Sequence, residues 1–262
     1  MSAKAPVAIR VDGRIATVVI TTSGKLNALS VAAWEAVQAA FAELGSSKSV
    51  RAIVLRGSGG NFAAGADISE FTTVRSNIEL GTRYHEETVK GAIVAIAACP
   101  IPSVALIEGA CVGGGLEIAC SCDLRIAATS SRFGVPINKL GFPLAHSELA
   151  AMLGLVGRAV AAEILLEGRV FGSDEAYAKG LLTRVVPDDK VVDEAYAAAA
   201  RIAAGSPLAA RANKRWISRL SPVQQPLTED EIRQHFAFFD SADYREGVRA
   251  FLSKTKPEFP DS

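Results

Sequence analysis

The sequence predicts an α/β fold. Three observations carry this reading. Short apolar runs of strand length recur between residues 7 and 187, stretches with apolar residues at helical spacing lie between them, and Gly, Pro and Asp punctuate the joins. VAIRVDG (7–13) and IATVVITT (15–22) predict two strands around an Asp12-Gly13 turn. Ser30 then suits a helix N-cap. Val31, Trp34, Val37, Phe41 and Leu44 fall on one helical face, and Gly45 stops it. Arg51–Arg56 is a short apolar strand. The order so far is strand, strand, helix, strand.

The alternation continues. Tyr84–Ala98 predicts a helix ending before Pro100, and SVALIEG (103–109) a strand. VGGGLEIACS opens a helix, and DLRIAAT (123–129) is another strand. Ala150–Leu166 and Asp174–Lys179 have helical character, and LLTRVVP (181–187) returns as a strand. From Ser206 the character changes. Ser206-Pro207 pairs a cap with proline at the first helical position, and Thr228-x-x-Glu231 fits a capping box. The expected organisation is a core over 1–205 and a helical region over 206–262. Phe236, Phe238, Phe239, Phe251 and Phe259 are too many aromatics for a free tail and call for packing on the core or on a neighbouring subunit.

Composition excludes some classes. Lys plus Arg is 28 and Asp plus Glu is 28, so the net charge is zero, which argues against nucleic acid or an anionic membrane as the main partner. The four cysteines, Cys99, Cys111, Cys120 and Cys122, sit among small or apolar residues. They read as core residues and lack the paired spacing of a zinc site, so no metal is expected. The N-terminus carries no apolar leader core, and the apolar run Ala92–Cys99 is too short to span a membrane. The expectation is a cytoplasmic protein.

Two small-residue loops stand out: GNFAAGADI (60–68) and EGACVGGGLE (108–117). Each leaves a predicted strand and is followed by an acid, Asp67 or Glu117. Small side chains form little core but let a ligand approach the backbone. A lone Gly-Gly-Gly is most simply a flexible turn, and the phosphate-loop patterns are absent. The pairing of two such junctions raises a functional reading. Two backbone N–H groups aimed at one carbonyl oxygen form an oxyanion hole, each donor contributing about 3 kcal/mol to a transition state.

FAAGADI followed by GACVGGGLE resembles the crotonase (enoyl-CoA hydratase/isomerase) superfamily. GKLNALS (24–30) resembles its early coenzyme A-contacting loop. CDLRIAA, RFGVP (132–136), LEGRVFGSDEAYAKGLLTRVVPDD (166–189) and REGVRAFLSKTKPEF (245–259) are similar to its later segments. The resemblance implies a spiral of ββα units with a C-terminal helical region, assembled as a homotrimer or homohexamer. It implies an acyl-CoA substrate, with no cofactor beyond the coenzyme A that is part of it. By position it assigns the oxyanion donors to the N–H groups of Ala66 and Gly114. Substrate contacts fall to Lys25, Ala28, Ala66, Asp67, Ile68 and Gly114, with Lys254 and Lys256 as further partners for the phosphates.

Glu117 lies one helical turn past Gly114 and matches the first catalytic glutamate of the hydratases. Their second glutamate would stand at residue 137, where this chain has Ile137, which can neither give nor take a proton. His146, Glu148, His85, Glu86 and Glu87 are candidates to replace it, each also readable as an ordinary polar residue. His146 is the expected second acid–base group. The leading function is enoyl-CoA hydration through an enolate-like intermediate. The alternatives are enoyl-CoA isomerisation, another lyase or hydrolase reaction, or non-catalytic acyl-CoA binding, which Ile137 motivates.

Overall fold

The computed structural model describes residues 5–22, 24–221 and 228–258. Its strands are β1 (Val7–Asp12), β2 (Ile15–Ile20), β3 (Ala52–Gly57), β4 (Ser103–Ile107), β5 (Ala110–Val112), β6 (Leu124–Ala128), β7 (Arg132–Gly134), β8 (Phe171–Gly172) and β9 (Arg184–Val186). The hairpin forms as expected, β1 and β2 pairing antiparallel with Asp12 opposite Ile15. From β2 onward the large sheet is parallel, in the order β1-β2-β3-β4-β6-β9. A second, three-stranded sheet has the order β5-β7-β8.

The two sheets together make the spiral. After β3 the chain reaches Ala63, after β4 it reaches β5, and after β6 it reaches β7. Ala63 bridges Cys111 in parallel, and Cys111 pairs with Phe133 in the parallel β5–β7 ladder. Successive turns therefore stack on both sheets, each turn leaving the small sheet into helical structure. The expected strand 103–109 ends at Ile107, inside the large sheet, and the chain then crosses to β5 in the small one. Gly109, at φ 52°, makes the corner, because such a backbone disfavours a side chain.

The apolar runs of β3 and β4 are continuous because both faces are buried. Ile53, Leu55, Ala105 and Ile107 point into the main core, while Ala52, Val54, Val104 and Leu106 point to the other face. The Val191–Ala204 helix covers that second face with Ala195, Ala198 and Ala199. Sequence reading had assigned nothing to this helix.

The predicted caps are present. Ser30 accepts from Ala33 N–H, Ser206 from Ala209 N–H, and Thr228 and Glu231 cap reciprocally. Two helices differ from expectation. The segment read as Tyr84–Ala98 is helical from Ile78, with a π-helical turn over Tyr84–Val89. The segment read as Ala150–Leu166 begins at His146, which brings Glu148 into its first turn. That His146–Glu167 helix is long and apolar enough to cross a membrane, a feature the reading of Ala92–Cys99 overlooked. It is not one straight rod, because Gly157 has φ 71° and ψ 176° inside it.

In the C-terminal region Phe236, Phe239 and Tyr244 are buried in the same core as the sheet, so these helices pack on their own chain. Phe251 is exposed. Phe259 lies outside the described residues.

Candidate active site

A cavity of about 620 Å³ opens where the two small-residue loops meet. Lys25, Ala28, Ala66, Asp67, Ile68 and Gly114 all line it, as does Glu117. Thus seven of the residues singled out in the sequence, drawn from three separate segments, converge on one space.

The backbone geometry of the loops follows from their residues. Ala66 forms a parallel bridge with Leu29. Leu29 N–H donates to Gly65 O at 2.7 Å, and Asp67 N–H donates to Leu29 O at 2.8 Å. In a parallel bridge the flanking groups of one strand make the bonds. The N–H of Ala66 itself therefore points away from Leu29. Gly114 begins a helix, so its N–H has no intrahelical acceptor. The three glycines are a steric requirement rather than slack. Gly113 has φ 50° and ψ −123°; a Cβ on Gly114 would lie 2.7 Å from Trp34 Cζ2; one on Gly115 would lie 2.2 Å from Ala63 O. A Cβ on Gly65 would lie 3.8 Å from Gly114 N, which shows how closely the two loops approach.

Glu117 is buried, with its carboxyl group in the cavity wall. Burial, then the neighbouring Glu148 charge, pushes its pKa well above the ordinary glutamate value, against the pull of Arg75. These surroundings favour its protonated form. Ile137, in the Pro136–Leu140 turn, lines the cavity as an apolar wall.

The structure does not bring His146, the expected second acid–base group, to the cavity. Its Nε2 lies 3.3 Å from Glu86 Oε1, and its ring packs edge-on against His235 and Phe236. Two positions further along the same helix, Glu148 does line it, together with His85. Residues two apart on a helix point about 200° apart, so only one of them can face the site. Glu148 is 3% exposed. Its Oε1 accepts from His85 Nδ1 at 2.6 Å and its Oε2 from Ala145 N–H at 3.3 Å. Ala145 has no side-chain acceptor, so this is half of a capping box. Burial pushes Glu148 up, but His85, Arg75 and the Ala145 N–H together outweigh it and hold the carboxyl below the usual range. Burial lowers the His85 pKa against the pull of the Glu148 charge, and its Nδ1 pairs with the Glu148 carboxylate. The site thus holds two glutamates whose surroundings push their pKa values in opposite directions.

At the mouth, Lys25 Nζ contacts Asp67 at 2.7 Å and Ser69 Oγ at 2.9 Å. Burial raises the Asp67 carboxyl, but Lys25 and Ser69 hold it below its ordinary value. Thr255 and Pro257, beside the exposed Lys254 and Lys256, bring the C-terminal segment to the same mouth. Among the described residues no group of three or more His, Cys, Asp or Glu side chains could hold a metal ion.

The enoyl-CoA hydratase/isomerase family model matches residues 10–262. The chain belongs to this family. A probable enoyl-CoA hydratase of Mycobacterium tuberculosis is 33% identical over 250 residues, covering 95% of each chain. Among solved structures, an enoyl-CoA hydratase/carnithine racemase from Magnetospirillum magneticum is 44% identical, with a TM-score of 0.82 over 98% of this chain and 96% of that one. Methylmalonyl-CoA decarboxylase complexed with 2S-carboxypropyl CoA is 28% identical, with a TM-score of 0.88 over all of both chains. The spiral ββα fold expected from the sequence is the fold of these relatives.

Proposed function

We propose that this acyl-CoA-processing enzyme adds water across the double bond of a 2-enoyl-CoA thioester. The observation that carries the reading is the pair of glutamates, Glu117 with its pKa raised and Glu148 with its pKa lowered, lining one cavity with Ala66 and Gly114, whose N–H groups have no backbone acceptor among the described residues. Environments that push two carboxyls apart in pKa define an acid and a base. The thioester oxygen accepts from the N–H groups of Ala66 and Gly114. Glu148 takes a proton from water as its oxygen bonds to the β-carbon, and the electron pair of the double bond moves onto the thioester as an enolate. The two N–H groups stabilise that charge. Glu117 gives its proton to the α-carbon, the thioester carbonyl reforms, and the product is a 3-hydroxyacyl-CoA. Solvent returns the proton from Glu148 to Glu117. His85 positions Glu148 rather than reacting. Lys25 at the mouth is the partner for coenzyme A phosphate, and no separate cofactor is needed.

The test is crotonyl-CoA incubated with the enzyme, followed by loss of enone absorbance and mass analysis of the product. Wild type should give 3-hydroxybutyryl-CoA. Tight binding of several 2-enoyl-CoA thioesters with turnover of none would favour the non-catalytic reading instead.

The proposal includes a cytoplasmic setting and a homotrimer, or a hexamer of two trimers. Four free, buried cysteines suit a reducing compartment. The exposed Leu208, Trp216, Ile217 and Leu220 on the Pro207–Leu220 helix suit a subunit interface. Light scattering at three or six times the chain mass is the expected result.

A further inference from the structure

Arg75 enters the reaction just described only through its charge, which favours the ionised forms of Glu148 and Glu117, yet its side chain stands in the wall of the same cavity. It follows the short Phe71–Val74 helix and is 3% exposed. Its guanidinium carbon lies 3.8 Å from the ring centroid of Phe71, 4.4 Å from Tyr84 and 5.2 Å from Phe142. Its Nε and Nη1 are buried without a hydrogen-bond partner. No ion pair includes it among the described residues. The Tyr244 hydroxyl donates to the Arg75 backbone carbonyl at 3.4 Å.

A guanidinium does not lose its proton in a protein, so burial cannot neutralise it. The aromatic rings offset part of the cost through cation–π attraction. They do not satisfy its N–H donors, and a buried cation without a partner is strongly unfavourable. Glu148 carries its charge nearby, but its oxygens are engaged by His85 and the Ala145 N–H. Among the described residues no carboxylate bonds Arg75 Nε or Nη1, and the cavity is where an acceptor for them would enter.

We propose that the acyl group of the substrate carries a second carboxylate, and that Arg75 binds it. The substrate class is then a dicarboxylic acyl-CoA thioester. This rests on the acyl-CoA reading above and names the far end of that substrate. A carboxylate fits better than a phosphate. It is planar and matches the two-pronged donor geometry of a guanidinium. Arg75 is buried in the apolar wall, whereas the lysines suited to phosphates, Lys25 and Lys139, line the cavity from exposed positions.

The experiment is calorimetry of the whole protein with matched pairs of saturated thioesters: malonyl-CoA against isovaleryl-CoA, succinyl-CoA against 4-methylpentanoyl-CoA, and glutaryl-CoA against 5-methylhexanoyl-CoA. Each neutral partner replaces the carboxylate by a branched alkyl group of similar shape. At least one dicarboxylic member should bind about tenfold tighter than its neutral match. In Arg75→Gln that ratio should collapse towards one, and Arg75→Lys should keep part of it. If the neutral members bind equally well or better throughout, the proposal is overturned while the acyl-CoA reading stands. If a preference for the carboxylate survives in Arg75→Gln, the assignment to Arg75 is overturned. If no thioester of either kind binds, the acyl-CoA reading fails and takes this one with it. The wild-type comparison decides the first and last points even where the variants fold poorly.

Discussion

Replacing Glu148 by glutamine tests the least expected member of the site. The substitution keeps the size of the side chain and removes its charge. In the wild type Glu148 accepts two hydrogen bonds, from His85 Nδ1 at 2.6 Å and from Ala145 N–H at 3.3 Å. Glutamine keeps one acceptor oxygen and turns the other into a donor. One of the two N–H groups then loses its acceptor, unless the imidazole changes tautomer. Hydrogen bonds to a charged group contribute about 1.5–3 kcal/mol, and a loss of stability of that order is expected at neutral pH. The pKa of Glu148 is depressed in the folded state, so its contribution is present above the usual glutamate value of 4.5 and lost as pH falls through the folded value. The stability difference between wild type and variant should therefore shrink on acidification. Loss of a general base costs about 10²–10⁴ in kcat. Hydration of crotonyl-CoA, or of the best 2-enoyl-CoA found, should fall by that amount, with KM changed far less. The wild-type pH profile should be a plateau bounded by deprotonation of Glu148 on the acid side and of Glu117 on the alkaline side. The variant should lose the acid limb. A variant with wild-type kcat and an unchanged acid limb would refute the assignment of Glu148 as base.

Glu117→Gln should lower kcat by about 10²–10⁴. It should also raise the thermal midpoint at pH 8 relative to wild type, and less so at pH 5. The raised pKa of Glu117 makes the wild type lose stability as pH rises from 4.5 through the folded value, and glutamine does not titrate. Gly114→Ala places a Cβ 2.7 Å from Trp34 Cζ2, and overpacking of this kind costs about 1–3 kcal/mol, measured by denaturant unfolding. It should lower kcat as well, by displacing the Gly114 N–H. If Glu148 is the base, as proposed, Ile137→Glu should not raise hydratase activity, because a third carboxyl in this wall would be unpaired. A gain in kcat would show that the residue 137 position still has hydratase geometry.

Much of this protein was legible in its sequence because the signals are local. The Asp12-Gly13 hairpin, the caps at Ser30, Ser206 and Thr228, and the placing of Glu117 one turn beyond Gly114 depend on neighbours along the chain. The small residues of 60–68 and 109–115 announced two close approaches, and the family pattern said that they meet. What the sequence could not supply was orientation. His146 and Glu148 belong to one helical turn and are both suited to proton transfer, and only the packing of that helix against His85 turns Glu148 inward. His85 and Glu148 are 63 positions apart, so no spacing rule links them. Arg75 sits in no motif, and its unpaired donors exist only because three aromatic rings from separate segments close around it. Backbone donors and helix caps are fixed by the residues that make them. The protonation of a buried carboxyl and the partner of a buried guanidinium are fixed by desolvation and by charges brought near from elsewhere in the chain, and these come into being only when the tertiary fold assembles.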